Sequence, residues 1–152
     1  MESLHYLLMK THTILNRRIL NRAGKAGLTA GQPKVLEFLS QHGESDQKTI
    51  ASYCEIEPAT VGSILLRMER SGLVIRQQHT GNRRSLFVSL TEKGRQAAAA
   101  VEEIFQETET EAVSGLSSEE LEQLTGLLDR LWKSLEIRRP EQNSGEEKNE
   151  IQ

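Results

Sequence analysis

The feature that most constrains this chain is a change of hydrophobic period at Ser71-Gly72. Before it, Val61, Ile64, Leu65 and Met68 recur at the spacing of one helical face, which predicts a helix from Glu57-Pro58 to the Ser71-Gly72 stop. Proline suits the first helical position, where its missing N–H has no intrahelical acceptor, and glycine suits the end. After Gly72 the period falls to two. Leu73, Val74 and Ile75 form a short β run, and Leu86, Val88 and Leu90 alternate with Ser85, Phe87 and Ser89 in a second. Between them His79-Thr80-Gly81-Asn82-Arg83-Arg84 reads as a loop turning at Gly81 and Asn82, so two arginines tip a β-hairpin.

The helix from Pro58 presents Ala59, Gly62, Ser63, Leu66, Arg67 and Arg70 on its other face, with Thr60 on the flank. A face that is small and polar near its start and basic toward its end can lie in a duplex groove. Upstream, Ser45 or Asp46 caps a short helix in which Ile50, Ala51 and Tyr53 or Cys54 face inward, and Ile56 fills the turn. Two short helices followed by a hairpin make a winged helix-turn-helix. The expected class is mainly α with a small β-hairpin wing (α+β), carried between long N- and C-terminal helices.

Those flanking helices are legible too. Leu4, Leu7, Leu8, Thr11, Ile14, Leu15 and Ile19 keep helical spacing toward Ala23, with Gly24 and Gly27 as the stop. Thr29 and Gln32 read as a capping box, with Thr29 as N-cap of a helix through Val35, Leu36 and Leu39 that ends near His42-Gly43. Thr91 starts a long helix from about 91 to 113. A second box, Ser117-x-x-Glu120, opens a last helix with Leu121, Leu124, Leu127, Leu128, Leu131, Trp132 and Leu135. That stripe is too apolar to stand free, and the first helix with the same helices of a second subunit would cover it in a C2 homodimer. The alternative is an intrachain helical core in a monomer. Residues 138–152, with Pro140, Asn143, Ser144, Gly145 and several glutamates, are expected to form a disordered acidic tail after one domain over 1–137.

Charge is unevenly spread. Residues 1–100 hold 14 Lys/Arg against 8 Asp/Glu, whereas residues 101–152 hold 5 against 14. A basic unit joined to an acidic one suits a nucleic-acid binder with an assembly segment. With 36% hydrophobic and 27% charged residues the composition is that of a soluble protein. No apolar run approaches the roughly 20 residues of a membrane span. No signal peptide is visible, and the single cysteine cannot form an intrachain disulfide, so a cytoplasmic setting is expected. His5, His12, His42 and His79 show no metal-ligand spacing, and no phosphate loop, nucleophile elbow or paired-acid pattern occurs. No catalytic residues, metal or cofactor are therefore expected. Cys54 reads as a buried structural thiol.

In order and spacing, several stretches together resemble the MarR family of bacterial transcriptional regulators over about residues 1–137. They are Leu28-Thr-Ala-Gly-Gln32 with Val35-Leu36, Gln47-Lys-Thr-Ile-Ala51, Ile56-Glu-Pro-Ala-Thr-Val61, Arg67-Met-Glu-Arg-Ser-Gly-Leu-Val74, and Asn82-Arg-Arg84 running into Val88-Ser-Leu-Thr-Glu-Lys-Gly94. The resemblance implies a homodimer whose first and last helices interlock, a helix-turn-helix at about 47–70 in the major groove and a wing at about 73–90 in the minor groove. The residues agree with double-stranded-DNA binding: backbone N–H groups and Ser45, Gln47 or Lys48 at the start of the third helix can hold phosphate, Arg67 and Arg70 are expected toward the backbone, Ala59, Thr60, Gly62 and Ser63 toward base edges, and Asn82, Arg83 and Arg84 in the wing. The family usually has an aspartate at Asn82, which orients the wing arginine, and often an acid at Leu66. Here Arg84 is expected to lean less on that residue, or Arg83 to share its role.

Joining a winged domain to a dimer platform leaves a crevice, expected to be lined by His12, Asn16, Phe38 and Phe105. The resemblance implies a small amphipathic or aromatic effector there. The function expected is thus a ligand-responsive, sequence-specific DNA-binding repressor without enzymatic activity. A competing reading is a winged-helix protein-interaction module that binds no DNA, against which Lys48, Arg67, Arg83 and Arg84 argue.

Overall fold

The computed structural model describes residues 1–137, and of Asn82 and Arg83 the backbone alone. The elements in chain order are α1 (Leu4–Lys25), α2 (Gln32–His42), β1 (Ser45–Asp46), α3 (Gln47–Cys54), α4 (Pro58–Arg70), β2 (Val74–His79), β3 (Asn82–Leu90), α5 (Glu92–Ala112) and α6 (Ser118–Ile137). Met1–Ala112 forms one compact unit, and Val113 onward belongs to a second. The expected tail at 138–152 lies outside the described residues. Among the described residues no helix is long and apolar enough to cross a membrane.

In the first unit the core follows the helical and strand periods. Val35, Leu36, Ile50, Val61, Leu65, Met68, Val74, Val88 and Val101 are fully sequestered. α3 supplies Ile50, Ala51 and Cys54 to this core, while Tyr53 remains 57% exposed, which decides between the two inward candidates. The sheet is antiparallel in the order β1-β3-β2. β1 pairs Ser45 with Val88 and Asp46 with Phe87, and β2 pairs Val74 with Leu90 and Arg76 with Val88. Two residues are too few to show a period, so β1 was not legible in the sequence.

Local chemistry explains how the hairpin is fastened at its base. The Thr91 hydroxyl donates to the Gly72 carbonyl at 2.5 Å and accepts from the Gly94 N–H at 3.0 Å, so one side chain starts α5 and holds the α4–β2 turn. Lys93 Nζ adds a bond to the Ser71 carbonyl at 2.7 Å. α1 is tied to α5 by Arg18 and Arg22, which reach Glu111, with Arg22 also on Thr108 at 2.7 Å.

Two helix boundaries differ from the sequence reading. α1 continues through Gly24 to Lys25, and it is Gly27, at φ +80°, that turns the chain. α2 begins at Gln32 with Gly31 as N-cap, not at Thr29. Only half of the expected box forms, the Gln32 side chain accepting from the Thr29 N–H at 3.1 Å. Gly31 sits at φ +83°, and a Cβ there would collide with the Ile64 side chain. The turn is therefore laid against α4, which delays the helix by a few residues. The second box is complete: Glu120 accepts from the Ser117 N–H at 2.8 Å and Ser117 Oγ from the Glu120 N–H at 3.1 Å. Taken by itself, α6 buries none of its residues, and Leu124, Leu127, Leu128, Trp132 and Leu135 are exposed.

Two helical glycines should respond oppositely to alanine. A Cβ at Gly94 would run into the Leu73 carbonyl, so Gly94→Ala is expected to cost about 1–3 kcal/mol through overpacking. A Cβ at Gly24 meets nothing, so Gly24→Ala should gain roughly 0.5–1 kcal/mol. Denaturant midpoints at constant slope check both.

Candidate nucleic-acid interface

The site is built on α4. Pro58 occupies its first turn and Glu57 its N-cap, and Val61, Leu65 and Met68 are wholly buried with Ile64 half-buried beside them. Because that face is taken by the core, Ala59, Thr60, Ser63, Leu66, Arg67 and Arg70 are left exposed on one side. Gly62 is half-buried, and a Cβ on it would crowd the Gln47 amide, so this glycine serves the close contact of α4 with α3.

At the foot of α4, Asp46, Gln47, Lys48, Pro58, Arg84, Ser85 and Leu86 line an open cleft of about 400 Å³. Asp46 is the α3 cap: its carboxylate accepts from the Thr49 N–H at 2.7 Å. That bond, first from the backbone and then from the Thr49 side chain, holds the carboxyl below its ordinary value. Ser45, the other capping candidate, lies in β1 and donates its hydroxyl to the Gly43 carbonyl at 3.1 Å. At this end of α3 the Ser45 hydroxyl and the Thr49 amide are thus taken, while the side chains of Gln47 and Lys48 line the cleft.

The wing has a different shape from the expected loop. The turn is Thr80-Gly81 alone, with Gly81 at φ +85°, and Asn82, Arg83 and Arg84 already belong to β3. A two-residue turn with a positive φ closes a hairpin more tightly than the longer loop that the polar run suggested. Arg84 consequently stands in β3 among the residues that line the cleft with Lys48, not at the hairpin tip. The side chains of Asn82 and Arg83 lie outside the described ones.

Sequence reasoning missed two wing contacts. Arg76 Nε donates to Glu69 Oε2 at 3.1 Å, joining β2 to the last turn of α4, and this bond holds the Glu69 carboxyl below the usual range. His79 Nε2 lies 2.7 Å from Glu44 Oε1. The only signal for the first was opposite charge seven residues apart across a turn, which many surface pairs share.

The expected crevice is partly as read. His12, Asn16 and Phe105 line a cavity of about 120 Å³ together with Leu15, Ile19, Leu20, Gly31, Pro33 and Lys34. Phe38 is not among them: it is buried in the core and stacks on His42 at 4.5 Å and against Tyr53 at 4.8 Å. Phe38 stands one turn beyond Lys34 along α2, beside His42 and Tyr53, whereas Pro33 and Lys34 at the start of the helix line the cavity. Cys54 is buried, and desolvation pushes its thiol up to about 11. Among the described residues no group of three or more His, Cys, Asp or Glu is placed to hold a metal ion.

A family model described as the MarR family matches residues 28–86. Over 107 residues the chain is 33% identical to the homoprotocatechuate degradative operon repressor of Escherichia coli, which covers 67% of this chain and 69% of that protein. Over 101 residues it is 31% identical to the HTH-type transcriptional regulator YwaE of Bacillus subtilis, covering 66% of this chain and 59% of the relative, so it spans less than two thirds of that length. The structure of the S. aureus MepR–DNA complex matches with a TM-score of 0.81 at 28% identity, over 89% of this chain and 99% of that one.

Removing the α3 cap by Asp46→Ala should cost about 1 kcal/mol, measured by chemical denaturation. Because the folded Asp46 titrates below its unfolded value of 3.8, its contribution is present above that pH and fades as pH falls through the folded value. Cys54 should resist thiol reagents at neutral pH until the protein is unfolded. Its raised folded value makes it a stabilising thiol below pH 9.0, an advantage lost as pH climbs toward about 11.

Proposed function

The chain belongs to the MarR family, and from that premise we infer that it is a double-stranded-DNA-binding transcriptional regulator, a repressor that works as a homodimer on a pseudo-palindromic operator. The observation that carries this reading is the cleft in which Gln47, Lys48 and Arg84 stand together at the foot of the exposed face of α4. Lys48 and Arg84 suit phosphate oxygens, and α4 suits the major groove, which admits a helix. Ala59, Thr60, Ser63 and Leu66 are the side chains offered to base edges, with Arg67 and Arg70 toward the backbone. Short and apolar groups make few bidentate contacts, so thymine methyls and groove shape carry much of the selectivity. The helix-turn-helix is assigned to 47–70 and the wing to 73–90.

Dimerisation is supported by two uncovered apolar stripes, Leu4, Leu7, Leu8, Met9 and Ile14 on α1 and Leu124 to Leu135 on α6. Exposed surface of that kind is rarely tolerated on a monomer. The cavity beside His12, Asn16, Lys34 and Phe105 is assigned to a small aromatic or amphipathic effector, since its lining is apolar with a few polar groups. Such a ligand releases DNA by favouring a spacing of the two α4 helices that misses successive grooves, and about 1.4 kcal/mol of differential binding gives a tenfold loss. Because the relative's name ties it to repression of a degradative operon, a role beside chromosomal DNA in the cytoplasm fits, and no catalysis is proposed.

Selection of bound duplexes from a random pool, with light scattering on the same sample, tests the reading. The expected result is a dimeric mass and an inverted repeat with half-sites about 10 base pairs apart. A monomeric mass with full affinity, or no enriched sequence, would overturn it. On the selected duplex, Arg84→Ala and Lys48→Ala should each weaken binding and lower the salt slope by roughly 0.9.

A further inference from the structure

β2 and β3 lose register between Gln77 and His79. Gln77 pairs with Phe87, whereas His79 pairs with Asn82. One residue separates these positions on β2, but Arg83 to Leu86 separate them on β3, so the surplus falls in the stretch that carries Arg84. Extra residues in one strand break the ladder and re-aim side chains. The segment on which Arg84 stands thus departs from the regular ladder, so contacts at its two ends bear on where Arg84 is held.

His79 is placed to supply it. Its backbone pairs with Asn82 at the near end of the surplus, while its ring lies flat on Phe87 at the far end, 3.8 Å between centroids and 8° from parallel. Its Nε2 is 2.7 Å from the Glu44 carboxylate. Glu44 directly precedes β1, whose Asp46 pairs with Phe87 and leads into Gln47 and Lys48 of the cleft lining. One side chain thus bridges both ends of the irregular segment and ties it to the residue before β1.

We propose that His79 and Glu44 are positioning residues for DNA binding: their pair, with His79 stacked on Phe87, holds Arg84 at the cleft that it lines with Gln47 and Lys48. The proposal rests on the reading of that cleft as a phosphate site. His79 and Glu44 are 44% and 36% exposed at the side chain, so their pair adds little to folding. Its effect is on preorganisation: without it Arg84 samples more positions, and ordering that segment is charged to binding.

The test has two arms on the full-length protein. In the free protein, hydrogen exchange at residues 82–87 should quicken in Glu44→Ala and His79→Phe, the latter keeping an aromatic ring on Phe87 without the pair, while the melting midpoint stays put. On the selected duplex both variants should bind roughly threefold to tenfold more weakly. Their salt slope should fall toward that of Arg84→Ala, by up to about 0.9. Glu44→Gln, which retains an acceptor, should recover most of the affinity. In an Arg84→Ala background Glu44→Ala should cost nothing further, the non-additivity expected of residues acting through one contact. Unchanged wing exchange in Glu44→Ala, or losses that simply add to Arg84→Ala, would overturn the proposal while leaving the DNA reading intact. Failure of the unsubstituted protein to bind any selected duplex would overturn both.

Discussion

Burial of Val61, Leu65 and Met68 is the interaction on which the rest depends. Each is wholly removed from solvent, and each contributes about 1.5–3 kcal/mol by that burial. Their spacing leaves one orientation for α4, and that orientation decides which residues remain outside. A helix rolled by one position would expose Leu65 and sequester Arg67. The outward row of Thr60, Ser63, Leu66 and Arg67 is thus a by-product of core packing, and packing makes it rigid enough to serve as a binding face.

Once α4 is set, the hairpin follows. Leu73 N–H returns to the Met68 carbonyl at 2.8 Å, and Thr91 and Lys93 close the same turn from the α5 side. The Arg76–Glu69 pair repeats the connection from β2. Electrostatics then separates two surfaces. Lys48 and Arg84 stand at the cleft, while α5 carries Glu102, Glu103, Glu107, Glu109 and Glu111. On that acidic side, burial and the nearby Glu109 and Glu102 raise the Glu37 carboxyl above its ordinary value. Asp46 is the exception near the cleft: by capping Thr49 it occupies one of the amides at the start of α3, and its carboxylate stands beside Lys48 and Arg84 in the cleft lining.

Most of the architecture was legible because it is written in period. The inward face of α4 and the Ser117–Glu120 box depend on neighbours in sequence and appear where the spacing put them, and the switch to strands does follow Gly72, though β2 runs Val74–His79 rather than over Leu73 to Ile75. What escaped depends on neighbours in space. β1 exists because β3 offers it a partner, with no pattern of its own. Thr29 looked like a cap until Gly31 had to pass Ile64. Phe38 and Phe105 are both aromatic positions near a junction, but only Phe105 reaches the cavity, since Phe38 lies one turn too far along α2, beside His42. The polar run from His79 to Arg84 hid a two-residue turn, and with it the shift of Arg84 from tip to strand.

The measurement that bears most directly on the central claim is hydrogen exchange of the intact protein, free and saturated with its selected duplex. The expected result is slowed exchange in the first turn of α3, along α4 and in β3 around Arg84, with α2 near His42 unchanged. Slowing confined to other segments, with α4 and β3 unaffected by the duplex, would contradict it.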